Sequence, residues 1–433
     1  MCSNCNVIIV GYDTVGAAHV SSISSQRKTT PMLDSIAEQG YLFTQNISAA
    51  PWTVPSFMSV FTGLYPGEHK VINKYTVFNS EKQELSNLSK LSPKVMTLAQ
   101  VMKENGYVTG GFTGDAGVGG AFGYKNGFDT YTDEVKFGSI QNSATHAIDW
   151  LKKNKDKKFF MFLHGYDAHG QFTLPQKGEF IPKDYTGPFT GSPMEEAKLR
   201  EEQLTQPLDL SPQDVDFWKG VYDSKILEGD RRFASFWKEV ENMGLDKNTI
   251  IIILSDHGEE FYEHKGIDHG HSLYDELVHV PLVFKIPGMK GGVKITQQVT
   301  SIDIAPTLLD VLGIKPNKQY ASQLRGKSLW PIIKGQEESE EDVYLETDYR
   351  DFTHKRGIRT ANGWKYILTL ESGTQELYNL NEDPGEQVNL AETNKDIAAT
   401  LEKKVKDHMI KMGQNPGQEW NVGCLPVYAG ECE

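Results

Sequence analysis

Residues 249–260 read Thr-Ile-Ile-Ile-Ile-Leu-Ser-Asp-His-Gly-Glu-Glu, an unbroken apolar run that ends abruptly in polar residues. A short apolar run rich in β-branched residues predicts a strand that is buried on both faces, as in a parallel sheet. In open α/β sheets the chemistry lies outside the carboxyl ends of such strands. We therefore predict a strand at 249–254 that delivers Asp256 and His257 to a functional site.

Short apolar runs of this kind recur along the chain. Further apolar runs typical of buried strands lie at residues 6–12, 108–113, 159–164 and 280–286. Helical patterns lie between the strands, for example at 95–105, 143–152 and 214–243. This alternation predicts an α/β fold with a doubly wound, mainly parallel sheet and helices on both faces. Residues 170–213, rich in Pro, Gly and charge, should form a long surface excursion near the site.

The pattern of predicted strands and helices changes after residue 336. Short strand patterns follow one another there, and an amphipathic helical pattern covers residues 394–412. We predict a small antiparallel sheet covered by one helix. The predicted domains are therefore a catalytic α/β domain at 1–336 and a C-terminal α+β subdomain at 337–433.

The acidic balance of the chain limits its partners. A formal net charge of −14 over 433 residues repels a phosphate backbone, so we expect no nucleic acid partner. A small anionic ester substrate would need local positive charge, which a bound metal and histidines could supply. The sequence makes no prediction of oligomeric state.

The termini suggest a location. Met1-Cys2-Ser3-Asn4 has the form of a bacterial lipoprotein start, which predicts a lipid anchor at Cys2. No run of about 18 apolar residues is present, so no membrane-spanning helix is expected. We expect an extracytoplasmic location, in the periplasm or at the cell surface, with the cytoplasm as the alternative. In an oxidising compartment Cys424 and Cys432 are candidates for a disulfide, and free thiols are the alternative.

Three polar residues at strand ends are candidate metal ligands. Asp13 follows the run 6–12, and Asp256 and His257 follow the run 249–254. Carboxylates supply charge and imidazole is a borderline ligand, so the three could hold one divalent ion. For Asp256 and His257 the alternative is a helix N-cap with an incidental imidazole.

Thr53 is a candidate nucleophile. It lies directly before a helical run, in the segment Ala50-Pro51-Trp52-Thr53-Val54-Pro55-Ser56-Phe57. A hydroxyl at a helix N-terminus feels the positive end of the helix dipole, which favours an alkoxide or an incoming anion. The alternative is that Thr53 only caps the helix.

Histidines are concentrated in two segments. His164 and His169 follow one predicted strand, and His264, His269 and His271 follow another. Imidazoles can donate to phosphoryl oxygens, bind metal or protonate a leaving group. We therefore predict an anion pocket that includes His169, His269 and His271.

These residues, in this order, resemble the sulfatase branch of the alkaline phosphatase superfamily over nearly the whole chain. The matching segments include Thr62-Gly63-Leu64-Tyr65-Pro66, Tyr166-Asp167-Ala168-His169, Ser255-Asp256-His257-Gly258-Glu259 and Asp383-Pro384-Gly385-Glu386. The resemblance implies an alkaline phosphatase-like fold with metal ligands at Asp13, Asp256 and His257. It also implies that Thr53 is the nucleophile at the metal, and that His169 and His269 face the anionic head of the substrate.

The chain departs from the sulfatase pattern at the nucleophile. Sulfatases carry Cys or Ser there, followed by Pro-Ser-Arg, and oxidise that residue to formylglycine. Here the segment is Thr53-Val54-Pro55-Ser56-Phe57. Threonine cannot yield the aldehyde, because its Cβ carries a methyl group. Asp13 is followed by Thr14 instead of a second aspartate, and residues 111–115 lack the family's Lys and His.

The threonine at the nucleophile position resembles the arrangement in phosphoethanolamine transferases and nucleotide phosphodiesterases. We therefore predict a metal-dependent phosphodiesterase or phosphonate monoester hydrolase that forms a phosphothreonine intermediate, with His169 or His269 as the proton donor. Fewer carboxylates favour Zn²⁺, with Mn²⁺ and Ca²⁺ as alternatives. Asp167, His169 and His271 are candidates for a second metal. The alternative functions are a transferase, a sulfatase and a non-catalytic anion-binding homologue.

Overall fold

The computed structural model describes residues 2–72, 90–170, 172–174, 178–203, 206–336, 341–349, 353–418 and 420, and the backbone of 75–79 and 84–88. Its strands are β1 Asn6–Tyr12, β2 Tyr41–Ile47, β3 Tyr75–Asn79, β4 Glu84–Leu88, β5 Val108–Phe112, β6 Thr130–Thr132, β7 Phe159–Gly165, β8 Thr249–Ser255, β9 Glu260–Phe261, β10 Ile267–Asp268, β11 His279–Lys285, β12 Val293–Ile295, β13 Val299–Thr300, β14 Val343–Tyr349, β15 Thr353–Arg359, β16 Trp364–Thr369 and β17 Gln375–Asn379. Its α-helices are α1 Pro31–Ala37, α2 Thr53–Thr62, α3 Pro66–His69, α4 Leu98–Glu104, α5 Ile140–Asn154, α6 Pro193–Glu202, α7 Pro212–Asn242, α8 Asp275–Val278, α9 Ile304–Leu312, α10 Lys318–Gln323, α11 Trp330–Ile333 and α12 Lys395–Lys411.

The central sheet has the strand order β12-β2-β11-β8-β1-β7-β5-β6, and β13 also pairs with β2. Its strands are parallel to their neighbours except β11, which runs antiparallel to both β2 and β8. The mainly parallel sheet is confirmed, but the run at 280–286 does not have the direction of the other buried runs. A parallel return needs a crossover of a dozen or more residues that is usually helical. Residues 256–278 hold only a short hairpin and the four-residue helix α8, so the chain turns back beside β8.

Helices cover both faces of this sheet. Alternate residues of β1 face opposite sides: Val7 and Ile9 lie in one core cluster, and Ile8 and Val10 lie in the other. The first cluster includes residues of α2, α4 and α9, and the second includes residues of α1, α5 and α7. The period of two along β1 therefore places apolar side chains under helices on each side, which confirms the doubly wound arrangement.

The C-terminal part forms a four-stranded antiparallel sheet, β14-β15-β16-β17, as predicted. Helix α12 covers it, with Leu401, Val405 and Met409 packed in one cluster with Tyr366 and Leu377. The division of the chain at residue 336 remains a prediction.

The predicted excursion at 170–213 contains helix α6, and its charged residues reach back to the core. Lys225 on α7 pairs with Glu196 at 3.1 Å, and Arg200 pairs with Asp268 at 2.5 Å. The excursion therefore lies against the loop that follows β8.

The cysteine pairing at the amino terminus was not predicted. Cys2 and Cys5 form a disulfide, which uses the same sulfur as the predicted lipid anchor. Cys424 and Cys432 lie outside the described residues. Across the described part of the chain, every helix is too short or too polar to cross a membrane.

Candidate metal centre and nucleophile

The register of β1 and β8 brings the three candidate metal ligands together. Tyr12 is paired with Ser255, so the residues that follow, Asp13 and Asp256, leave neighbouring strands at the same edge. One ligand atom from each of Asp13, Asp256 and His257 lies within 4.8 Å of the others, and all three residues are buried. Asp256 is followed by a loop instead of a helix, so the N-cap alternative does not describe it.

The donor set fits a divalent ion. Asp256 Oδ1 accepts hydrogen bonds from the backbone N–H groups of Thr14 at 3.1 Å and His257 at 2.9 Å. Its Oδ2 is buried and accepts no hydrogen bond from the described residues. His257 Nδ1 donates to the carbonyl of Gly258 at 2.8 Å, which leaves the Nε2 lone pair free to bind metal. Two carboxylates and one neutral imidazole form an N/O donor set that suits a divalent ion.

The electrostatics of this group favour a cation. Burial and the charge of Asp13 raise the pKa of the Asp256 carboxyl well above its ordinary value. Burial opposes charge on Asp13 too, but the nearby imidazoles of His164, His169 and His257 hold its pKa below its ordinary value. Burial lowers the pKa of His257 to about 3, so this imidazole is neutral at pH 7. Two carboxylates that share one buried site repel each other when both are ionised, and a bound cation would offset that repulsion.

Thr14 and His164 support the ligands, and the sequence did not identify these roles. Thr14 has a φ of +59°, and its hydroxyl donates to Asp13 Oδ1 at 2.5 Å. Because its N–H donates to Asp256, Thr14 bridges both carboxylates. His164 Nε2 lies 3.5 Å from Asp13 Oδ2 and is fully buried. The sequence could not predict the positive φ of Thr14, because β-branched residues rarely adopt that conformation.

Thr53 begins α2 and turns its hydroxyl toward the ligands. The N-cap position belongs to Trp52, so Thr53 does not cap the helix. Thr53 Oγ1 lies 3.2 Å from Asp13 Oδ2 and 3.3 Å from His257 Nε2. The hydroxyl of Ser56, one turn along α2, donates to the carbonyl of Asp256 at 2.8 Å. That bond fixes the amino end of the helix against the strand end.

A glycine loop closes over Thr53. A Cβ added at Gly117 would lie 2.7 Å from Thr53 Cβ, so only glycine fits there without displacing the threonine. The N–H of Gly117 donates to the Tyr166 hydroxyl at 2.7 Å, which donates to the carbonyl of Asp115 at 3.0 Å. The loop that carries Gly117 is therefore held in place by a strand-end tyrosine.

His169 and His269 lie beside the candidate ligands but differ in electrostatic surroundings. Their ring centroids are 5.0 Å apart, and the ring of His269 lies 4.3 Å from that of His257. Burial lowers the pKa of His169 well below its ordinary value. Burial acts the same way on His269, but Asp268 at 3.0 Å and Glu259 at 3.1 Å raise its pKa well above that value. At neutral pH one imidazole is therefore neutral and the other is charged.

The structure does not assemble the predicted second metal set. Asp167 accepts from the N–H of Ile140 at 2.6 Å and pairs with Arg232 at 2.8 Å. His271 points to Glu260, with 3.0 Å between Nε2 and the carboxylate, so its predicted role in the anion pocket is not supported by its contacts. His264 likewise pairs with Glu276 at 2.6 Å.

Two family models match the chain. One described as Sulfatase covers residues 5–314, and one described as N-sulphoglucosamine sulphohydrolase, C-terminal, covers residues 263–414. The first covers more than half of the chain, and the chain therefore belongs to the Sulfatase family.

Two relatives that are sulfatases by name are distant in sequence but match over most of their length. The chain is 23% identical to a Delta 4,5-hexuronate-2-O-sulfatase of Bacteroides thetaiotaomicron, over 89% of this chain and 84% of that protein. It is also 23% identical to human Arylsulfatase K, over 96% of this chain and 87% of the relative. The phosphonate monoester hydrolase of Agrobacterium radiobacter has a similar structure, with a TM-score of 0.73, 22% identity and coverage of 94% and 95% of the two chains. The chain thus shares its fold with phosphonate monoester hydrolases as well as with sulfatases.

Proposed function

We propose that this protein is a metal-dependent hydrolase of phosphate esters, a phosphodiesterase or phosphonate monoester hydrolase, with Thr53 as the nucleophile. The observation that carries the proposal is the position of the Thr53 hydroxyl, 3.2 Å from Asp13 Oδ2 and 3.3 Å from His257 Nε2 at the buried start of a helix. Membership of the Sulfatase family supports ester hydrolysis as the general reaction.

The chemistry of threonine favours phosphoryl transfer over the usual sulfatase route. That route needs an aldehyde hydrate, which a threonine cannot supply. The position of the family's arginine is taken by Phe57, whose ring packs edge-on against His164 with centroids 5.2 Å apart. A hydroxyl nucleophile that forms and then releases a phosphoester needs neither the aldehyde nor the arginine.

The proposed ligands of a divalent ion are Asp13, Asp256, His257 and the Thr53 hydroxyl, with Zn²⁺ favoured and Mn²⁺ or Ca²⁺ as alternatives. When bound, the ion would lower the pKa of the hydroxyl and offset the negative charge of the ester. The fit rests on the unpartnered Asp256 Oδ2 and the neutral His257 Nε2.

The residues of the chain would divide the proton transfers. Thr53 Oγ1 attacks phosphorus, its proton passes to Asp13 Oδ2, and the bond from phosphorus to the leaving oxygen breaks. His269, the charged imidazole, protonates that oxygen. Water then attacks the phosphothreonine and gives a proton to His269, while Thr53 recovers its proton as the phosphoester bond breaks. His169, the neutral imidazole, donates an N–H to a phosphoryl oxygen.

A panel of nitrophenyl esters tests the proposal. Phosphate, phosphodiester, phosphonate and sulfate esters are assayed with zinc, manganese and calcium. We expect turnover of a phosphodiester or phosphonate, loss of at least a thousand-fold in kcat for Thr53→Val, and a covalent phosphoryl adduct on trapped wild type. The matched control is Thr62→Val on the same helix, which removes a buried hydroxyl that donates to Met58 at 2.7 Å. Unchanged activity of Thr53→Val would end the nucleophile assignment.

Sulfate ester hydrolysis is the second candidate. Sequence similarity to a hexuronate sulfatase and to an arylsulfatase favours this reaction. The same panel decides, because a sulfatase would turn over the sulfate ester best and carry a sulfuryl adduct. An acceptor-dependent transfer product would instead indicate a phosphoethanolamine-type transferase.

We also propose an extracytoplasmic location. The disulfide between Cys2 and Cys5 supports it, because such bonds persist in oxidising compartments. A lipid thioether at Cys2 would exclude the disulfide, because both use the same sulfur. Mass spectrometry of the peptide that contains Cys2 and Cys5, from the native host, distinguishes the two.

A further inference from the structure

A cleft of about 370 Å³ is lined by residues on both sides of His269 in the sequence, among them Asp268 and His271. Arg200 and Asp268 both line it, and Asp268 contacts His269 at 3.0 Å. Tyr349 lines the cleft as well, and its ring packs edge-on against Trp52, the residue before Thr53, with centroids 5.2 Å apart. One side chain therefore separates the cleft from His269 and from the residue before Thr53, which is the direction proposed here for the alcohol part of an ester.

Positive charge exceeds negative charge along this cleft. Its two carboxylates are already neutralised, since Glu260 pairs with His271 at 3.0 Å and Asp268 with Arg200 at 2.5 Å. Two further lining residues, Lys265 and Lys355, have no carboxylate within ion-pair distance in the described part of the chain. Among the described residues, Lys355 Nζ donates to the Thr369 hydroxyl, at 3.0 Å.

A buried hydroxyl adds a polar contact. Ser272 lines the cleft and is 5% exposed, and its Oγ has no hydrogen-bond partner among the described residues. A buried polar atom without a partner costs free energy, and such a group is commonly satisfied by a ligand or water. The lysines come from different parts of the chain, Lys265 from the loop after β8 and Lys355 from β15. Their convergence on one cleft is therefore a feature of the tertiary fold.

We propose that this cleft binds the leaving alcohol of the ester and that Lys265 and Lys355 recognise a second anionic group on it, a carboxylate or sulfate. The inference rests on the proposed function for the reacting end of the substrate. The ligand class is an anionic alcohol such as an acidic sugar. A neutral alcohol would form no ion pair with either ammonium group.

Matched esters test the inference. The phenyl and 4-carboxyphenyl esters of the acid that the enzyme hydrolyses have similar leaving groups and differ by one carboxylate. We expect wild type to have a kcat/KM about ten-fold higher for the carboxyphenyl ester, and Lys355→Gln or Lys265→Gln to reduce that ratio about five-fold, since partly exposed ion pairs contribute modestly. The control is Lys153→Gln, an exposed lysine on α5, which should leave the ratio unchanged. Lys265 is exposed, so its substitution does not threaten folding.

A binding measurement separates this inference from the proposed function. Calorimetric titration of Thr53→Val with 4-hydroxybenzoate and with phenol needs no turnover. Tighter binding of 4-hydroxybenzoate, weakened by Lys355→Gln, supports the cleft even if no ester of the panel is hydrolysed. Equal binding of both phenols, or a ratio of kcat/KM unaffected by either lysine substitution, overturns the inference while leaving any measured hydrolase activity in place.

Discussion

Replacing Asp256 with asparagine should stabilise the metal-free protein while removing its response to metal. Ligand oxygens of Asp13 and Asp256 lie no more than 4.8 Å apart. Two full charges at that distance repel by roughly 3 kcal/mol at an effective dielectric constant of about 20. An amide can keep the oxygen that accepts from Thr14 and His257, and it turns an N–H group toward the unpartnered side. We expect Asp256→Asn to gain about 1–3 kcal/mol without metal.

The pH dependence follows from the raised pKa of Asp256. The folded chain binds a proton there more tightly than the unfolded chain, so metal-free stability falls as pH rises from about 4 through the folded pKa. The gain from Asp256→Asn should therefore increase between pH 5 and 8. In a chain of 433 residues, 1 kcal/mol shifts the melting midpoint by about 1 °C.

Thermal melting with EDTA and with zinc measures both effects. We expect the variant to melt about 1–3 °C higher than wild type in EDTA and to show no rise with zinc. Asp303→Asn is the contrasting control, because both Asp303 oxygens accept backbone N–H groups, from Thr300 and Lys327, and it should melt lower. A lower midpoint for Asp256→Asn in EDTA, or an equal zinc-induced rise in variant and wild type, would refute the electrostatic reasoning.

Three further predictions concern activity. EDTA should abolish turnover and added zinc should restore it; activity that persists after exhaustive chelation contradicts the metal role. Gly117→Ala should lower kcat about ten- to hundred-fold by displacing Thr53, whereas Gly385→Ala, with its nearest contact at 3.7 Å, should not; equal kcat values would show that the Gly117 loop does not position Thr53. The raised pKa of His269 means that its charge is lost as pH rises through that pKa, so kcat/KM should fall on the alkaline side in wild type and lose this limb in His269→Gln.

The strand ends could be predicted from the sequence because the pattern that marks them lies within a few neighbouring residues. An apolar run followed at once by a polar residue predicts both a buried strand and the edge at which it ends, and Asp13 and Asp256 were found this way. Thr53 was found from its position before a helical run, and the structure adds that its hydroxyl faces Asp13. The metal, the reaction and the role of each residue remain proposals.

The histidines were harder to assign, because their side-chain directions depend on the backbone. His269 and His271 are two residues apart, a spacing that suggests one face of a strand. Gly270 between them has a φ of +91°, so the chain turns there. The ring of His269 therefore contacts Glu259, and the ring of His271 contacts Glu260. The contacts of Arg200 with Asp268 join segments far apart in sequence, and no pattern within either segment predicts them.

The reversed direction of β11 determines how the loop at 256–278 is held. Both of its ends enter neighbouring strands, with Leu254 paired to Leu282, so they stay roughly 5 Å apart. The base of the loop carries Asp256 and His257, whereas its middle carries His269 together with residues that line the cleft. Because the two ends are anchored, substitutions of lining residues such as Lys265 leave the proposed metal ligands in register. Selection for new substrates would therefore act on the lining positions of this segment and spare His269.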